Sequence, residues 1–402
     1  MPGSKSYTNR SLIMAALTKG SVLLQNPLYS EDTEAMIGCL RVLGLNIETK
    51  PDQIFVHDDI ECIKNRNYQL FANDSGTTVR FILALLCIVP GVKVIHGSKR
   101  LNERPIRDLV NALCSLGAKI EYCEHEGKLP LKISTSTLCG KSVFLKSDIS
   151  SQFCSAILLI SPYLSHEFTI HVMGKKISKS YMDMTLNCMQ DWKVQVKEMT
   201  GSYFIPGHQF YRKKEYSIEG DFSSAGYFFA LAVLTKSTIT IENLHPLSAQ
   251  PDRKFLEILE RMGNLVCRKE NSICIQGKQI VPIEVDMEEC PDQIMTLAML
   301  ASFAKGITKI SGVRSLRVKE SDRILALTNE LGKMGIKVEN TCDTLTIYGG
   351  VPRAAEIDTY NDHRIAMTFA VAGMYLPGMI IRHPEVVNKT FPNFWDLLTN
   401  LQ

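Results

Sequence analysis

CLRVLGLNIE (Cys39–Glu48), ALCSLGAKIE (Ala112–Glu121), LERMGNLV (Leu259–Val266) and ELGKMGIKVE (Glu330–Glu339) are four copies of one phrase. Each runs from a helical stretch through a Leu or Met and a glycine into a β-like segment. Gly44, Gly117, Gly263 and Gly335 stand where a helix must end on a left-handed residue, a conformation glycine adopts without a Cβ penalty. Gly44 and Gly117 are 73 residues apart, and Gly263 and Gly335 are 72 apart. The gap between the two pairs is about twice as long. Inside it MQDWKVQV (Met189–Val196) occupies the place of a degenerate copy. A period of this length points to stacked α/β subdomains.

Working outward from these markers, apolar residues at helical spacing alternate with short β-rich runs. Helices are expected over Ser75–Ile88, Ser151–Ile160, Ser223–Leu234, Asp292–Ala304, Ser321–Met334 and Asp362–Gly373. Strands are expected over Val92–His96, Leu131–Ser134, Phe168–Val172, Thr238–Ile241, Ile273–Ile275 and Leu345–Tyr348. Five or six such units make two globular halves of α/β class. The polar segment EYSIEGDFSS, at Tyr216–Asp221, is the expected crossing between them.

The 402 residues suffice for two or three domains. Apolar residues make up 45% and charged residues 22%, as in a globular protein. A net charge of +3 without any polybasic run gives no nucleic-acid footprint. The longest apolar stretch, Phe81–Val92, contains Pro90 and falls short of the roughly twenty residues of a membrane span. MPGSKSYTNR lacks the layout of a secretory signal. None of the 12 cysteines forms a CxxC pair, so neither a zinc site nor a redox motif is expected. Most, such as Cys87, Cys154 and Cys188, lie in apolar runs and read as small core residues in a reducing cytosol.

The polar residues concentrate at the first turns of apolar helices. Ser4-Lys5-Ser6 opens SLIMAAL, and Asp74 to Thr78 opens VRFILALL. Arg104-Pro105 opens IRDLVNAL, with Pro at a position suited to helix entry. Ser150-Ser151-Gln152 opens FCSAILLI, and Asp292 opens QIMTLAML. Lys319-Glu320-Ser321-Asp322-Arg323 opens ILALTNEL, and Asn361-Asp362-His363-Arg364 opens IAMTFAVAG. Helix N-termini carry free N–H groups and partial positive charge, so several of them together suit phosphates and carboxylates. Lys5, Arg10, Arg104, Lys319, Arg323, Arg364 and Lys389 would add fixed cations, and Asp292 and Glu320 could move protons. Taken singly, Ser75, Ser150 and Ser223 read as ordinary caps, and Asp322 as a cap or a partner of Arg323. Such helix starts do not identify a substrate. No P-loop, GxGxxG, HExxH, GxSxG or kinase signature is present.

PGSKSYTNR, DSGTTVR, ERPIRDLV, SSQF, PDQIMTLA, RVKESDR, YNDHRIAM and NKTFPNF follow one another from Pro2 to Phe394. In this order they resemble the 5-enolpyruvylshikimate-3-phosphate synthase family of enolpyruvyl transferases. The resemblance implies a two-domain inside-out α/β barrel, each domain built from three βαβαββ repeats, with the active site in the interdomain cleft. It places one domain at 4–218 and the other at 1–3 with 219–402. The implied reaction transfers the enolpyruvyl group of phosphoenolpyruvate to the 5-hydroxyl of shikimate 3-phosphate and releases inorganic phosphate. That is the sixth step of the shikimate pathway to chorismate and aromatic amino acids. No cofactor and no metal are implied. Nor is a nucleic-acid or membrane partner. A cytoplasmic monomer that is a glyphosate target is.

Residue by residue, the resemblance makes Lys5 a cleft lysine near both substrates. Ser6 and Arg10 hold the shikimate carboxylate. Ser150, Ser151, Ser178 and Lys319 cradle its 3-phosphate, with Gln152 and Tyr181 lining the pocket and Ser315 beside it. Asp74, Gly76, Arg104, Gln152 and Lys389 lie at the phosphoenolpyruvate phosphate, and Arg323 and Arg364 hold its carboxylate. Asp292 stands at the attacking hydroxyl, Glu320 is the proton donor to the methylene carbon, and His363 supports the site.

Three departures from the family pattern stand out. The pattern has a strand ahead of Pro2-Gly3-Ser4-Lys5-Ser6, where this chain starts, so the expectation is either a missing sheet strand or a different start codon. Asp74 replaces an Asn beside the phosphoenolpyruvate phosphate and is expected to repel it unless paired. Ser315 replaces an Asn of some members. The nearest rival is a UDP-N-acetylglucosamine enolpyruvyl transferase, which uses a loop cysteine as acid; here Cys114 falls within the helix LVNALCSL and is expected to be buried. A catalytically silent anion-binding protein of the same fold is the rival from another class.

Overall fold

A computed structural model describes residues 1–135, 137–146, 151–174 and 179–401. Ser150 and Ser178, two of the expected phosphate ligands, lie outside the described residues. The chain forms two compact units, one of Gly3–Ile218 and one of Met1–Pro2 with Glu219–Gln402.

The Gly3–Ile218 unit holds α1 (Lys5–Ala16), α2 (Glu31–Leu43), α3 (Gly76–Leu86), the short α4 (Lys99–Glu103), α5 (Arg107–Ser115), α6 (Ser151–Ile160) and α7 (Lys179–Asp191). Its repeat is plainest in the middle. Strand Asn67–Phe71, α3, strand Val92–His96, α5, then strands Ile120–Tyr122 and Leu131–Ile133 make one βαβαββ unit. The first two strands pair in parallel, and the remaining pairings are antiparallel. Ser142–Lys146 through Ser202–Ile205 repeats this order around α6 and α7. The third sheet is closed from the far end of the unit: Glu215–Ser217 pairs in parallel with Val22–Gln25, whose other neighbour is Gln53–Val56.

The left-handed glycines stand where the phrase requires them, with φ of 111° at Gly44 and 103° at Gly117. At the degenerate copy Lys193 takes φ 69° in the same role. It carries a Cβ strain that glycine avoids, which is why the phrase is hard to read there.

Burial follows one scheme. Strands Asn67–Phe71 and Ser142–Lys146 alternate exposed and buried residues, so each sheet turns one face to solvent. α3 and α6, which pack on each other, are buried almost throughout. A helix apolar on all sides belongs inside a core. Helices therefore lie within and sheets without.

The other unit repeats the scheme with α8 (Phe222–Thr235), α9 (Phe255–Arg261), α10 (Ile294–Phe303), α11 (Arg323–Lys333) and α12 (His363–Gly373). α8, α10 and α12 are buried on nearly every side and supply most of its apolar cluster. Each fully buried Leu, Ile or Phe there contributes about 1.5–3 kcal/mol. One complete βαβαββ unit runs from Glu284–Asp286 through α10 and α11 to Thr344–Gly349. Beside it, among the described residues, stand a three-stranded sheet (Thr238–Glu242, Ser272–Gln276, Leu265–Lys269) and a two-stranded parallel pair, Glu356–Ile357 with Ile380–Ile381.

Two expectations need correction. Half of the cysteines, Cys62, Cys114, Cys123, Cys139, Cys267 and Cys342, are exposed. Cys114 sits on the solvent face of α5, whose buried residues are Leu109, Val110, Ala112 and Leu113. An apolar run within an amphipathic helix does not say which face a small residue takes. No described helix is long and apolar enough to cross a membrane.

Candidate active site

The charged residues of the Glu219–Gln402 unit converge on two buried arginines. Arg323, the first residue of α11, is 1% exposed. Its Nε and Nη2 donate to the two oxygens of Asp362 at 2.8 and 3.1 Å, a two-point clasp. Nη2 also lies 2.9 Å from Glu320 Oε2, and Nη1 lies 3.3 Å from Asp292 Oδ1. Arg364, on the first turn of α12, donates from Nη2 to Asp292 Oδ2 at 2.8 Å and from Nη1 to the Tyr227 hydroxyl at 3.3 Å. Lys319 Nζ completes the group at 3.9 Å from Asp292 Oδ1.

Local sequence explains why these side chains meet. Asp322 caps α11 by accepting from the amides of Ile324 and Leu325, which leaves Arg323 to turn inward. Its carboxylate also lies 3.5 Å from Arg317. Asp362 caps α12 by accepting from the Arg364 amide at 3.0 Å, and it further accepts from Ser321 Oγ at 2.9 Å. One fully buried carboxylate thus fastens the starts of two helices together. Asp292 lies in the 3-10 turn Pro291–Gln293 that leads into α10.

Burial by itself would raise the proton affinity of Asp292. Arg364, Lys319 and Arg323 together outweigh it and hold the carboxyl well below the usual carboxylate range. Asp292 is therefore a firm anion among fixed cations. His363 is buried at the first position of α12, with Nδ1 3.9 Å from Asp362 Oδ1. Ser315 is half-buried on the 3-10 segment Arg314–Val318. Lys389 is buried on Pro384–Lys389, which packs against α12.

The Gly3–Ile218 unit carries a second set. Lys5, first residue of α1, donates to Asp32 Oδ2 on α2 at 2.9 Å. Arg10 is buried, and its three nitrogens donate to Thr185 Oγ1 (2.9 Å), the Ser6 carbonyl (3.0 Å) and the Tyr181 carbonyl (3.5 Å). That contact brings Ser6, Arg10 and Tyr181 together across α1 and α7. At the start of α3, a Cβ added to Gly76 would lie 2.8 Å from Arg104 Nη1 and 3.0 Å from Arg80 Nη1. Two guanidinium groups thus rest over a helix N-terminus at a residue without a side chain, which is the composition of an anion site. Gln152 accepts from Arg80 and donates to Thr77 Oγ1 at 3.1 Å, and Ser151 is buried beside it. Asp74 accepts from Ser98 Oγ at 2.7 Å, and Ser98 in turn caps α4.

Arg104 is not at the first turn of its helix, contrary to the reading of Arg104-Pro105. It is the C-cap of α4, and α5 begins at Arg107. Proline is as much at home just after a helix as at its first position, and here it is the former. Gly76→Ala is expected to keep the fold, because only flexible arginine tips stand in the way of the new methyl. It should displace Arg104 and Arg80 and weaken anion binding at the start of α3 by about tenfold or more. Titration calorimetry with inorganic phosphate, against the unmodified protein, reads this directly.

Asp32, Arg80, Tyr227 and Asp362 belong to these clusters; the sequence reading placed Asp362 at a helix start without a site role and did not single out the other three. Arg80 lies within DSGTTVR and Asp362 within YNDHRIAM, so the motifs contained both. Asp32 and Tyr227 carried no local signal.

The family model described as EPSP synthase (3-phosphoshikimate 1-carboxyvinyltransferase) matches residues 1–398. A 3-phosphoshikimate 1-carboxyvinyltransferase of Sulfurovum sp. (strain NBC37-1) is 38% identical over 413 residues, covering 100% of this chain and 95% of the relative. One from Nostoc punctiforme (strain ATCC 29133 / PCC 73102) is 38% identical over 399 residues, covering 98% and 94%. Among solved structures, an EPSP synthase from Acinetobacter baumannii superposes with a TM-score of 0.82 at 26% identity, covering 99% of this chain and 94% of that one.

Proposed function

We propose, from the fact that this chain belongs to the EPSP synthase (3-phosphoshikimate 1-carboxyvinyltransferase) family and has its two-domain inside-out α/β fold, how its own residues divide the family reaction. The activity is transfer of the enolpyruvyl group of phosphoenolpyruvate to the 5-hydroxyl of shikimate 3-phosphate, with release of inorganic phosphate, in the shikimate pathway. The observation that carries the division of roles is the group Asp292–Arg364–Arg323–Glu320. Asp292 bridges the two arginines through its two oxygens, and Glu320 stands against Arg323.

In this reading Arg323 and Arg364 take the carboxylate of phosphoenolpyruvate, and Gly76, Arg104 and Lys389 take its phosphate. Ser6, Arg10, Ser151, Gln152, Tyr181, Lys319 and Ser315 serve shikimate 3-phosphate, together with Ser150 and Ser178. The resting carboxylates hold the arginines in place until substrate arrives. The incoming carboxylate competes with Glu320 for Arg323 and adds negative charge beside it. Both effects favour the neutral acid of Glu320. Glu320 then protonates the methylene carbon, and the adjacent carbon gains oxocarbenium character. Asp292, released from part of its hold on Arg364, accepts the proton of the 5-hydroxyl, whose oxygen attacks that carbon. The tetrahedral intermediate returns a methyl proton to Glu320, which re-forms the carbon–carbon double bond as the bond to the phosphate oxygen breaks; the proton taken up by Asp292 passes to the leaving oxygen, and inorganic phosphate departs. Fixed cations and helix ends stabilise the developing charge, and Lys5 and His363 support it. The protein works as a monomer in the cytosol and needs no metal.

Phosphate release measured with both substrates tests the reading. Release that requires both is expected. Release with UDP-N-acetylglucosamine in place of shikimate 3-phosphate, or none with either, overturns it. Asp74 puts a carboxylate next to the proposed phosphate site. Asp74→Asn should therefore lower the phosphoenolpyruvate KM by about threefold or more, on the scale of one screened charge contact. An unchanged KM would remove the repulsion from the account.

A further inference from the structure

Asp252 lies in the 3-10 turn Pro251–Lys254 and is 3% exposed. Its Oδ2 is 2.5 Å from Ser223 Oγ on the first turn of α8, and no hydrogen bond from the described residues reaches its Oδ1. The charged and titratable groups around it are Asp221, the cap of α8; Asp292; Arg364 on α12; and the Cys290 thiol. On its own side Lys254 pairs with Glu289, and Glu257 lies 3.7 Å from Arg253. Arg364 draws Asp252 toward its charged form, and it also donates to Asp292 and Tyr227.

A buried carboxylate with one bare oxygen and two anionic neighbours is costly as a charge. As the neutral acid it fits. Ser223 Oγ donates to Oδ2, and neutralising the carboxyl removes the charge that Oδ1 would otherwise carry without a hydrogen bond. Burial and the charge of Asp292 push the Asp252 carboxyl up to about 7, against the pull of Arg364.

We propose that Asp252 is a positioning residue that works as the neutral acid, and that losing its proton to solvent diverts Arg364 from Asp292 and from the phosphoenolpyruvate carboxylate. This rests on the reading of Asp292 and Arg364 given above. The neutral acid fastens its turn to the start of α8 and leaves Arg364 to the substrate. The ionised form becomes a second claimant for the same guanidinium.

Two readouts of Asp252→Asn test it. The first is the phosphoenolpyruvate KM between about pH 6 and about pH 8.5. A single ionisation with its midpoint in this range raises the wild-type KM by roughly tenfold or more, and the variant lacks that rise. The ionisation of the substrate's phosphate acts equally on both proteins. Equal KM ratios in the two proteins overturn the diversion of Arg364.

The second readout is thermal melting, which needs no activity. An aspartate in the unfolded chain ionises near pH 4, so folding takes up a proton between there and the folded midpoint. Wild-type stability contributed by this group falls as pH rises through that window and levels above it, whereas the Asn variant is flat. The Tm of the variant relative to wild type is therefore expected to climb from about pH 5 to about pH 7.5. A gap independent of pH overturns the protonated state. If the variant does not fold, the infrared difference spectrum of the unmodified enzyme across the same range must lose the band of a buried protonated carboxyl, and no such loss overturns the proposal. A wrong role for Arg364 leaves the melting gap pH-dependent and the KM ratios equal. A wrong state for Asp252 flattens the gap itself.

Discussion

Glu320→Gln is expected to lower kcat by at least about a hundredfold, the lower range for general acid–base work. That loss corresponds to about 2.7 kcal/mol of transition-state stabilisation. The amide has the shape of the acid and can still accept from Arg323, whose Nη2 lies 2.9 Å from Glu320 Oε2. What it cannot do is deliver a proton to carbon. The substitution removes one of three carboxylates around Arg323, and Asp362 and Asp292 remain to hold the guanidinium. The fold and the shikimate 3-phosphate KM are therefore expected to change little, and the phosphoenolpyruvate KM not to rise, since the neutral amide competes less for Arg323. Steady-state phosphate release at saturating substrates measures the effect, and a kcat close to that of the unmodified enzyme would remove Glu320 from proton transfer.

The contrast between Glu320 and Asp362 shows what a sequence makes legible. Glu320 stands in Lys319-Glu320-Ser321-Asp322-Arg323, where its proximity to Arg323 follows from spacing alone. Asp362 is 39 positions from Arg323 and reads as a cap for its helix. It is that cap, since it accepts from the Arg364 amide, and the cap hides its second task of clasping Arg323. Lys5 with Asp32 and Arg80 with Gln152 are likewise long-range partners. A local pattern supplies the charge but not the partner.

The fold was more legible because its signal is local and repeated. Gly44, Gly117, Gly263 and Gly335 all adopt the left-handed conformation that the phrase requires. Lys193 does the same without glycine, so the copy around it has only its strand and helix pattern to show. The face that a residue takes was harder. Cys114 and Leu113 are adjacent in one apolar run, yet only Leu113 is buried. Arg104 was misplaced because Pro105 fits both the end of one helix and the entry to the next.

Asp362→Ala is expected to cost about 3–5 kcal/mol of stability, the range for removing one partner of a buried ion pair. Arg323 is 1% exposed and Asp362 is fully buried, so neither charge can fall back on water. Burial weakens the hold of Arg323 on its charge, but Asp362 and then Glu320 outweigh it. Among the described residues the guanidinium then keeps Asp292 and Glu320, to which the proposed mechanism gives the proton transfers. α12 also loses its cap, and Ser321 loses its acceptor.

The chemical midpoint in urea should fall accordingly, and the phosphoenolpyruvate KM should rise because Arg323 is no longer aimed. Asp362→Asn keeps an acceptor for the cap and should fall between. The double variant Asp362→Ala with Arg323→Met separates the two roles. Removing both charges at once relieves the uncompensated arginine, so much of the lost midpoint should return. Turnover should not return with it if, as proposed, Arg323 is one of two clasps on the carboxylate of phosphoenolpyruvate. A double variant with wild-type turnover would show that Arg323 is there to hold the helices together rather than the substrate.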